Sequence, residues 1–183
     1  MPCTNPNVFV MNEKKPRMWG SLRNLKNQGL ETTIMDGVKR GNLALLPCGQ
    51  CEYCRKQTAD QWATRIELEA KDWEDVIFVT MTYDENHVPY GEILKGYQSI
   101  QSQTVSKRDV QLFLKRLRKA YEKPIKYFIA GEYGDRTKRP HYHGIFFGLK
   151  PEDAKWYKNQ KGNAYFKSEW LTNLWGKGFV DFS

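Results

Sequence analysis

No stretch of this chain approaches the roughly 18 consecutive apolar residues that a bilayer-crossing helix requires, and the amino terminus lacks the apolar segment of a secretory signal. A soluble cytosolic protein is expected. Cysteine is scarce and confined to Cys3, Cys48, Cys51 and Cys54. A reducing cytosol argues against pairing these four as two disulfides, which leaves metal ligation as the better explanation. Histidine is scarcer still, with three residues. Repeats and low-complexity tracts are missing, so solenoids and fibrous architectures are excluded. Negative charge is also in deficit: 29 Lys and Arg stand against 21 Asp and Glu, a net charge of +8. That balance points to an anionic partner, nucleic acid first, and without a spanning segment no membrane partner is expected.

What is present fits this partner. Aromatic residues make up 14% of the chain, and aromatic faces set among cations are what unpaired bases stack upon. At 183 residues the chain is long enough for one domain with a substantial core. The expected organisation is a single domain over 1–183, with 1–55 a cysteine-containing appendage. Turn signals at Asn5-Pro6, Asn27-Gln28-Gly29, Asp36-Gly37 and Gly41-Asn42 predict short strands and loops over 1–47. The run Pro47-Cys48-Gly49-Gln50-Cys51-Glu52-Tyr53-Cys54-Arg55 then presents three thiols at three-residue spacing. With Cys3 they could complete a tetrahedral Cys₄ zinc site that tethers the terminus. The same spacing admits an iron–sulfur cluster or unligated thiols.

Residues 55–73 predict an amphipathic helix through Trp62, Ile66 and Leu68, whose Arg55 and Arg65 face either a ligand or solvent. Val76 to Tyr83 reads as a central buried strand. His87, just past it, could approach a metal or DNA or serve its own loop. Gly, Gln and Ser predict a mobile loop over 90–105. Ser106-Lys107-Arg108-Asp109 opens a helix as a capping box, with Asp in place of the usual Glu. Val110, Phe113, Leu114, Leu117 and Tyr121 form its apolar stripe. Lys107, Arg108, Lys115, Arg116, Arg118 and Lys119 cover the remainder, either for phosphate contact or as a solvated face. Pro151, Glu152 and Asp153 predict a short helix to about Tyr157. Ser168 caps another helix from Glu169 to Trp175, and Phe179 to Phe182 can form a last strand. This order predicts an α+β fold with an antiparallel sheet, ferredoxin-like or RRM-like, its helices on one face.

The densest chemistry lies between Gly131 and Gly148. A strand over 125–130 and another from Pro140 to Phe147 predict a hairpin, joined by a basic loop with Arg136, Lys138 and Arg139. Side chains alternate across a strand, so His141 and His143 share one face and Tyr142 takes the other. Glu132 can add a carboxylate if the register allows. Two imidazoles and a carboxylate suit Mn²⁺, Mg²⁺ or Zn²⁺, with positions left open for a phosphate oxygen. Paired histidines filling ordinary structural places are the alternative.

These motifs together resemble the HUH-type replication initiators of small single-stranded DNA phages of the microvirus, gokushovirus-like kind. The resemblance rests on Pro-Cys-Gly-x-Cys-x-x-Cys-Arg at 47–55, Phe-Val-Thr-Met-Thr-Tyr-Asp at 78–84 with His87 and Pro89, Phe113 to Arg118, and Gly-Glu-Tyr-Gly with Arg-Pro-His-Tyr-His. It implies an HUH endonuclease fold with His141, His143 and an acidic neighbour holding Mn²⁺ or Mg²⁺, and Tyr142 in the core. It also implies rolling-circle initiation in the host bacterial cytoplasm on single-stranded or hairpin origin DNA, with host replication proteins as further partners. A tyrosine hydroxyl attacks one phosphate, leaving a 5′-phosphotyrosine and a free 3′-OH. The family's tyrosine motif does not occur before Ser183. The tyrosine helix is therefore expected beyond it, and this form is expected to bind metal and DNA without nicking. Tyr157 and Tyr165 are the remaining nucleophile candidates after the histidines. A non-catalytic single-stranded nucleic-acid-binding module with an RRM-like sheet is the competing reading.

Overall fold

In the computed structural model, residues 3–11, 15–95, 98–160 and 162–183 are described. The chain divides into two units, Met1–Glu67 and Leu68–Ser183. The first is built from strands β1 (Asn7–Val10) and β2 (Arg17–Ser21), helices α1 (Leu22–Asn27) and α2 (Glu31–Lys39), strand β3 (Leu43–Leu46) and helix α3 (Glu52–Ala70), which runs into the second unit. Its sheet has the order β2-β1-β3. Two helices thus stand where turn signals predicted strands and loops. Ser21 caps α1 by accepting from the Asn24 N–H, and Leu25 and Ile34 from these helices meet Val8 in a small core. The turns were legible, but the helical segments between them, six and nine residues long, are too short for apolar periodicity to declare itself. Helix α3 occupies the predicted place without the predicted amphipathicity. Only Cys54 on it is buried, and Trp62 and Leu68 are exposed.

The second unit continues with β4 (Val76–Thr82), β5 (Tyr90–Lys95), β6 (Gln98–Gln103), α4 (Lys107–Ala120), β7 (Lys126–Tyr133), β8 (Pro140–Phe147), β9 (Lys155–Gln160), β10 (Asn163–Lys167), α5 (Glu169–Trp175) and β11 (Val180–Phe182). Elements β4-α4-β7-β8-α5-β11 form a βαββαβ unit. Their strands lie in the order β7-β8-β4-β11 within a six-stranded sheet, all neighbours antiparallel, which β10 and β9 extend at one edge. This is the ferredoxin-like arrangement expected, in which each helix crosses between strands on one face.

Alternation explains the core. Val79 and Met81 of β4, Tyr142 and Phe146 of β8, and Val180 and Phe182 of β11 turn to the helices, where Phe113, Leu114 and Leu117 of α4 and Leu171 and Trp175 of α5 bury them. The segment predicted as a mobile loop is instead the paired hairpin β5–β6, with Gly96 and Tyr97 outside the described residues. The Gly, Gln and Ser content of this stretch hid the strands, which pair only with each other in a separate two-stranded sheet.

The predicted helix from Pro151 to Tyr157 is a turn followed by strand β9. Its helix-start signal serves a different helix. The Asp153 carboxylate accepts from the Trp170 N–H at 2.8 Å and the Ser168 hydroxyl at 2.5 Å, reinforcing the cap of α5. Ser106 caps α4 as expected, accepting from the Asp109 N–H at 3.2 Å. The reciprocal half of the box is absent, because the Asp109 carboxylate accepts from the Tyr83 hydroxyl at 2.9 Å and pairs with Lys177 at 3.3 Å.

Tyr142 joins this polar cluster. Its hydroxyl donates to the Ser106 carbonyl at 3.0 Å, accepts from the Ser106 N–H at 2.5 Å and lies 3.1 Å from the Tyr83 hydroxyl. Burial raises the pKa of its hydroxyl above the ordinary tyrosine value. The bonds pin the residue between the two histidines to the start of α4. Tyr142→Phe leaves the Ser106 N–H without this acceptor and is expected to cost about 1–3 kcal/mol. Urea denaturation checks this, and an unchanged midpoint would refute it.

Candidate metal centre

Strand β8 lies between β7 and β4, and the register fixes what stands beside each histidine. His141 faces Glu132 on β7 and Thr82 on β4, while His143 faces Ala130 and Thr80. All of these lie on the sheet face opposite the helices, since Tyr142 and Met81 take the helix side. The two imidazoles are 4.9 Å apart between centroids, at 86°. The Glu132 Oε2 atom lies 3.4 Å from His143 Nε2 and 3.8 Å from His141 Nε2. Three donor atoms that each bind one ion at about 2.1 Å stand about 3.0 Å apart in octahedral and about 3.4 Å in tetrahedral geometry. The observed spacings sit at and just above that range, so the donor set fits a single divalent cation. Glu132 is exposed, which leaves the outward side of the site open.

Second-layer contacts favour the ligand state. The Arg139 carbonyl can only accept, so its 3.2 Å contact places the proton of His141 on Nδ1 and leaves the Nε2 lone pair facing Glu132. His143 Nδ1 lies 3.1 Å from the Thr80 hydroxyl, and its ring stacks on Phe78 at 5.2 Å. Burial lowers the pKa of His143, the neighbouring His141 lowers it further, and Glu132 opposes both. A neutral imidazole is the form that binds metal.

Sequence reasoning missed Thr80 and Phe78. Alternation in β4 does put them on one face, but their adjacency to His143 depends on which strand pairs with which. Thr80→Val removes the orienting hydroxyl at nearly constant volume and is expected to weaken Mn²⁺ binding about 10- to 100-fold. Calorimetric titration checks this, and undiminished affinity would show that the contact is idle. Asp181 of β11 lies across from Thr80, with its buried Oδ1 lacking a hydrogen-bond partner among the described residues.

The proposed cationic residues do not act as one group. Helix α4 packs on the helix side of the sheet, so its cations lie across the sheet from the histidines. Lys107, Arg108, Lys115 and Lys119 are exposed. Arg116 instead donates to the Leu174 and Trp175 carbonyls at 2.7 and 3.0 Å, closing the carboxyl end of α5. Arg118 covers the Tyr127 ring and donates to its hydroxyl. Arg139 pairs with Glu85 and donates to the Tyr83 carbonyl at 2.9 Å. His87 bonds Asp84 at 2.7 Å, which holds that carboxyl below its usual range, and so stabilises its own loop. Arg136 and Lys138 are exposed in the turn that joins β7 to β8, the strands carrying Glu132 and the histidines.

Tyr157 and Tyr165 lie on β9 and β10. These strands are four and three places from β8 in the sheet order. At about 4.8 Å per strand they stand roughly 19 and 14 Å away, beyond the reach of a tyrosine side chain. Within the first unit, Cys3, Cys48, Cys51 and Cys54 do converge, with all four Sγ atoms within 4.8 Å of one another.

A two-histidine, one-carboxylate donor set that could hold a metal ion thus stands on the open face of an antiparallel α+β sheet of ferredoxin-like order. The family model described as Replication-associated protein ORF2/G2P matches residues 76–183, and the chain belongs to that family. It is 36% identical over 145 residues to Replication-associated protein VP4 of Bdellovibrio phage phiMH2K, covering 74% of this chain and 42% of that protein. It is 35% identical over 144 residues to Replication-associated protein ORF2 of Spiroplasma virus 4, covering 73% and 42%. With Replication-associated protein ORF4 of Chlamydia phage 1 it shares 32% over 164 residues, covering 83% and 38%. These matches support a microvirus-like replication protein. The chain spans about two fifths of the length of the curated relatives it matches. No solved structure matches. No helix among the described residues is long and apolar enough to cross a membrane.

Proposed function

We propose that this chain is the cation- and DNA-binding part of a rolling-circle initiator, a site-specific single-stranded DNA endonuclease and ligase of the HUH type. The observation that carries this reading is the convergence of Glu132, His141 and His143 on one point of an open sheet face. These three residues would hold Mn²⁺ or Mg²⁺, which supplies charge neutralisation at a non-bridging oxygen of the scissile phosphate. Arg139 and Thr80 orient the imidazoles. Arg136 and Lys138, in the turn that joins the strands bearing these residues, would contact the incoming backbone, and the exposed Lys107, Arg108, Lys115 and Lys119 would serve as a separate phosphate-binding surface. The substrate is single-stranded or hairpin origin DNA, because a stacked duplex resists bending its phosphate into such a site.

In the reaction a tyrosine oxygen bonds to phosphorus as the bond to the 3′-oxygen breaks, and that oxygen leaves as a 3′-OH for extension by host replication proteins. Neither Tyr157 nor Tyr165 is placed to be that nucleophile. The 183-residue chain alone is therefore expected to bind a labelled hairpin oligonucleotide more tightly with Mn²⁺ than without, and to form no covalent adduct. Fluorescence anisotropy and denaturing electrophoresis read the two outcomes. An adduct mapped to Tyr157 would overturn the assignment of the nucleophile. Binding indifferent to Mn²⁺ and to the loss of both histidines would instead favour a non-catalytic single-stranded nucleic-acid-binding module.

A further inference from the structure

We infer that Cys3, Cys48, Cys51 and Cys54 form a structural zinc site that holds the first unit together, independent of the proposed nuclease chemistry. Three readings of these cysteines are open from spacing alone, and the geometry separates them. The Cys48 and Cys54 sulfurs are 4.0 Å apart and the Cys51 and Cys3 sulfurs 3.9 Å apart. Four thiolates bound to one zinc at about 2.3 Å define a tetrahedron with edges of about 3.8 Å. Ligands of an iron–sulfur cluster sit on separate irons with inorganic sulfide between them, and must stand further apart than a single ion requires. All four sulfurs lie within 4.8 Å of one another, which suits one ion and leaves no room for a cluster. None of the four cysteines is in a disulfide.

The surrounding backbone is arranged for negative sulfur. The Cys48 N–H donates to Cys3 Sγ at 3.3 Å, and the Gln50 and Cys51 N–H groups donate to Cys48 Sγ at 3.5 and 3.3 Å. Gly49, in the turn between the first two ligands of this run, has a φ of +75°, which a residue with a Cβ adopts only under strain. Such N–H···S bonds orient ligands and offset their charge. The physical need is plain in the rest of the unit. Among the described residues its core cluster holds three buried residues, Val8, Leu25 and Ile34, with four partly buried neighbours. That is little for a unit running from Met1 to Glu67, and small units with such cores commonly rely on a structural metal. The ion would tie the chain before β1 to the turn after β3 and to the first turns of α3.

The test uses the full chain, with His141→Ala and His143→Ala introduced so that the other cation site does not contribute. Elemental analysis after purification is expected to find about one zinc per chain, falling to near zero when Cys51→Ser and Cys54→Ser are added. Because the cysteine variant could lose zinc simply by misfolding, a second measurement uses the four native cysteines. Stripped protein refilled with Co²⁺ should show the intense visible bands of tetrahedral cobalt with sulfur-to-metal charge transfer. Zinc should also protect all four thiols from alkylation. Stripping should collapse the NMR signals of Val8 and Ile34 while those of Phe146 and Trp175 persist. Zinc well below one equivalent, an iron-containing chromophore, an octahedral cobalt spectrum, or a first unit unaltered by stripping would each overturn the assignment.

Discussion

Replacing His141 and His143 together by alanine is expected to abolish the rise in melting temperature that Mn²⁺ confers on the wild-type chain. A ligand that binds only the folded state at about 100 times its dissociation constant adds about 2.7 kcal/mol. For a protein of this size each kcal/mol moves the melting temperature by about 2–4 °C, so wild-type stabilisation should be about 5–11 °C. The double variant leaves Glu132 as the one ligand of the three, and the shift should vanish. Without metal its stability should change little, because the imidazoles stand on the open face and outside the core. Mn²⁺ is the probe of choice because a hard cation favours imidazole and carboxylate over the cysteine thiolates. Thermal melts with and without Mn²⁺ decide the matter. An equal rise in wild type and variant would remove the metal centre and with it the basis of the proposed function.

The largest loss of stability is expected from Trp175→Ala. The indole is fully buried, lies 5.3 Å from Tyr83, 5.9 Å from Phe113 and 5.8 Å from Tyr142 between ring centroids, and donates its N–H to the Thr82 carbonyl at 2.8 Å. One side chain therefore fastens α5 to α4, to the last residue of β4 and to the strand that carries both histidines. Truncating a buried tryptophan costs about 3–5 kcal/mol through lost contacts and the cavity left behind. Tyr142 borders that cavity and lies between the two candidate ligand histidines in sequence, so Mn²⁺ affinity should fall with stability. Chemical denaturation measures the first and calorimetric titration the second. A loss below about 1 kcal/mol would mean that the site collapses to fill the void.

Long, strongly patterned segments were legible in advance. The stripe on α4, the Ser106 and Ser168 caps and the strands carrying the histidines each rest on local rules that the structure follows. Short segments were not. Helices α1 and α2 and strands β5, β6, β9 and β10 offer too few residues for a period to emerge. Asp153 shows a second limit, since a residue typical of a helix start can cap a helix 17 positions along the chain. Asp109 shows the same, its carboxylate taken by Tyr83 and Lys177 and not by its own helix start.

By itself the sequence determined that His141 and His143 share a face and that Tyr142 opposes them, because alternation is a property of any extended strand. It also determined the basic character of the chain and the grouping of cysteines. The tertiary structure decided that Glu132 pairs with His141, that Thr80 and Phe78 flank His143, and that the cations of α4 lie on the far side of the sheet. It also put Tyr157 and Tyr165 out of reach of the site. Register and strand order are set by burial of Val79, Met81, Phe146 and Trp175 against one another, contacts between residues far apart in the chain that no local pattern records.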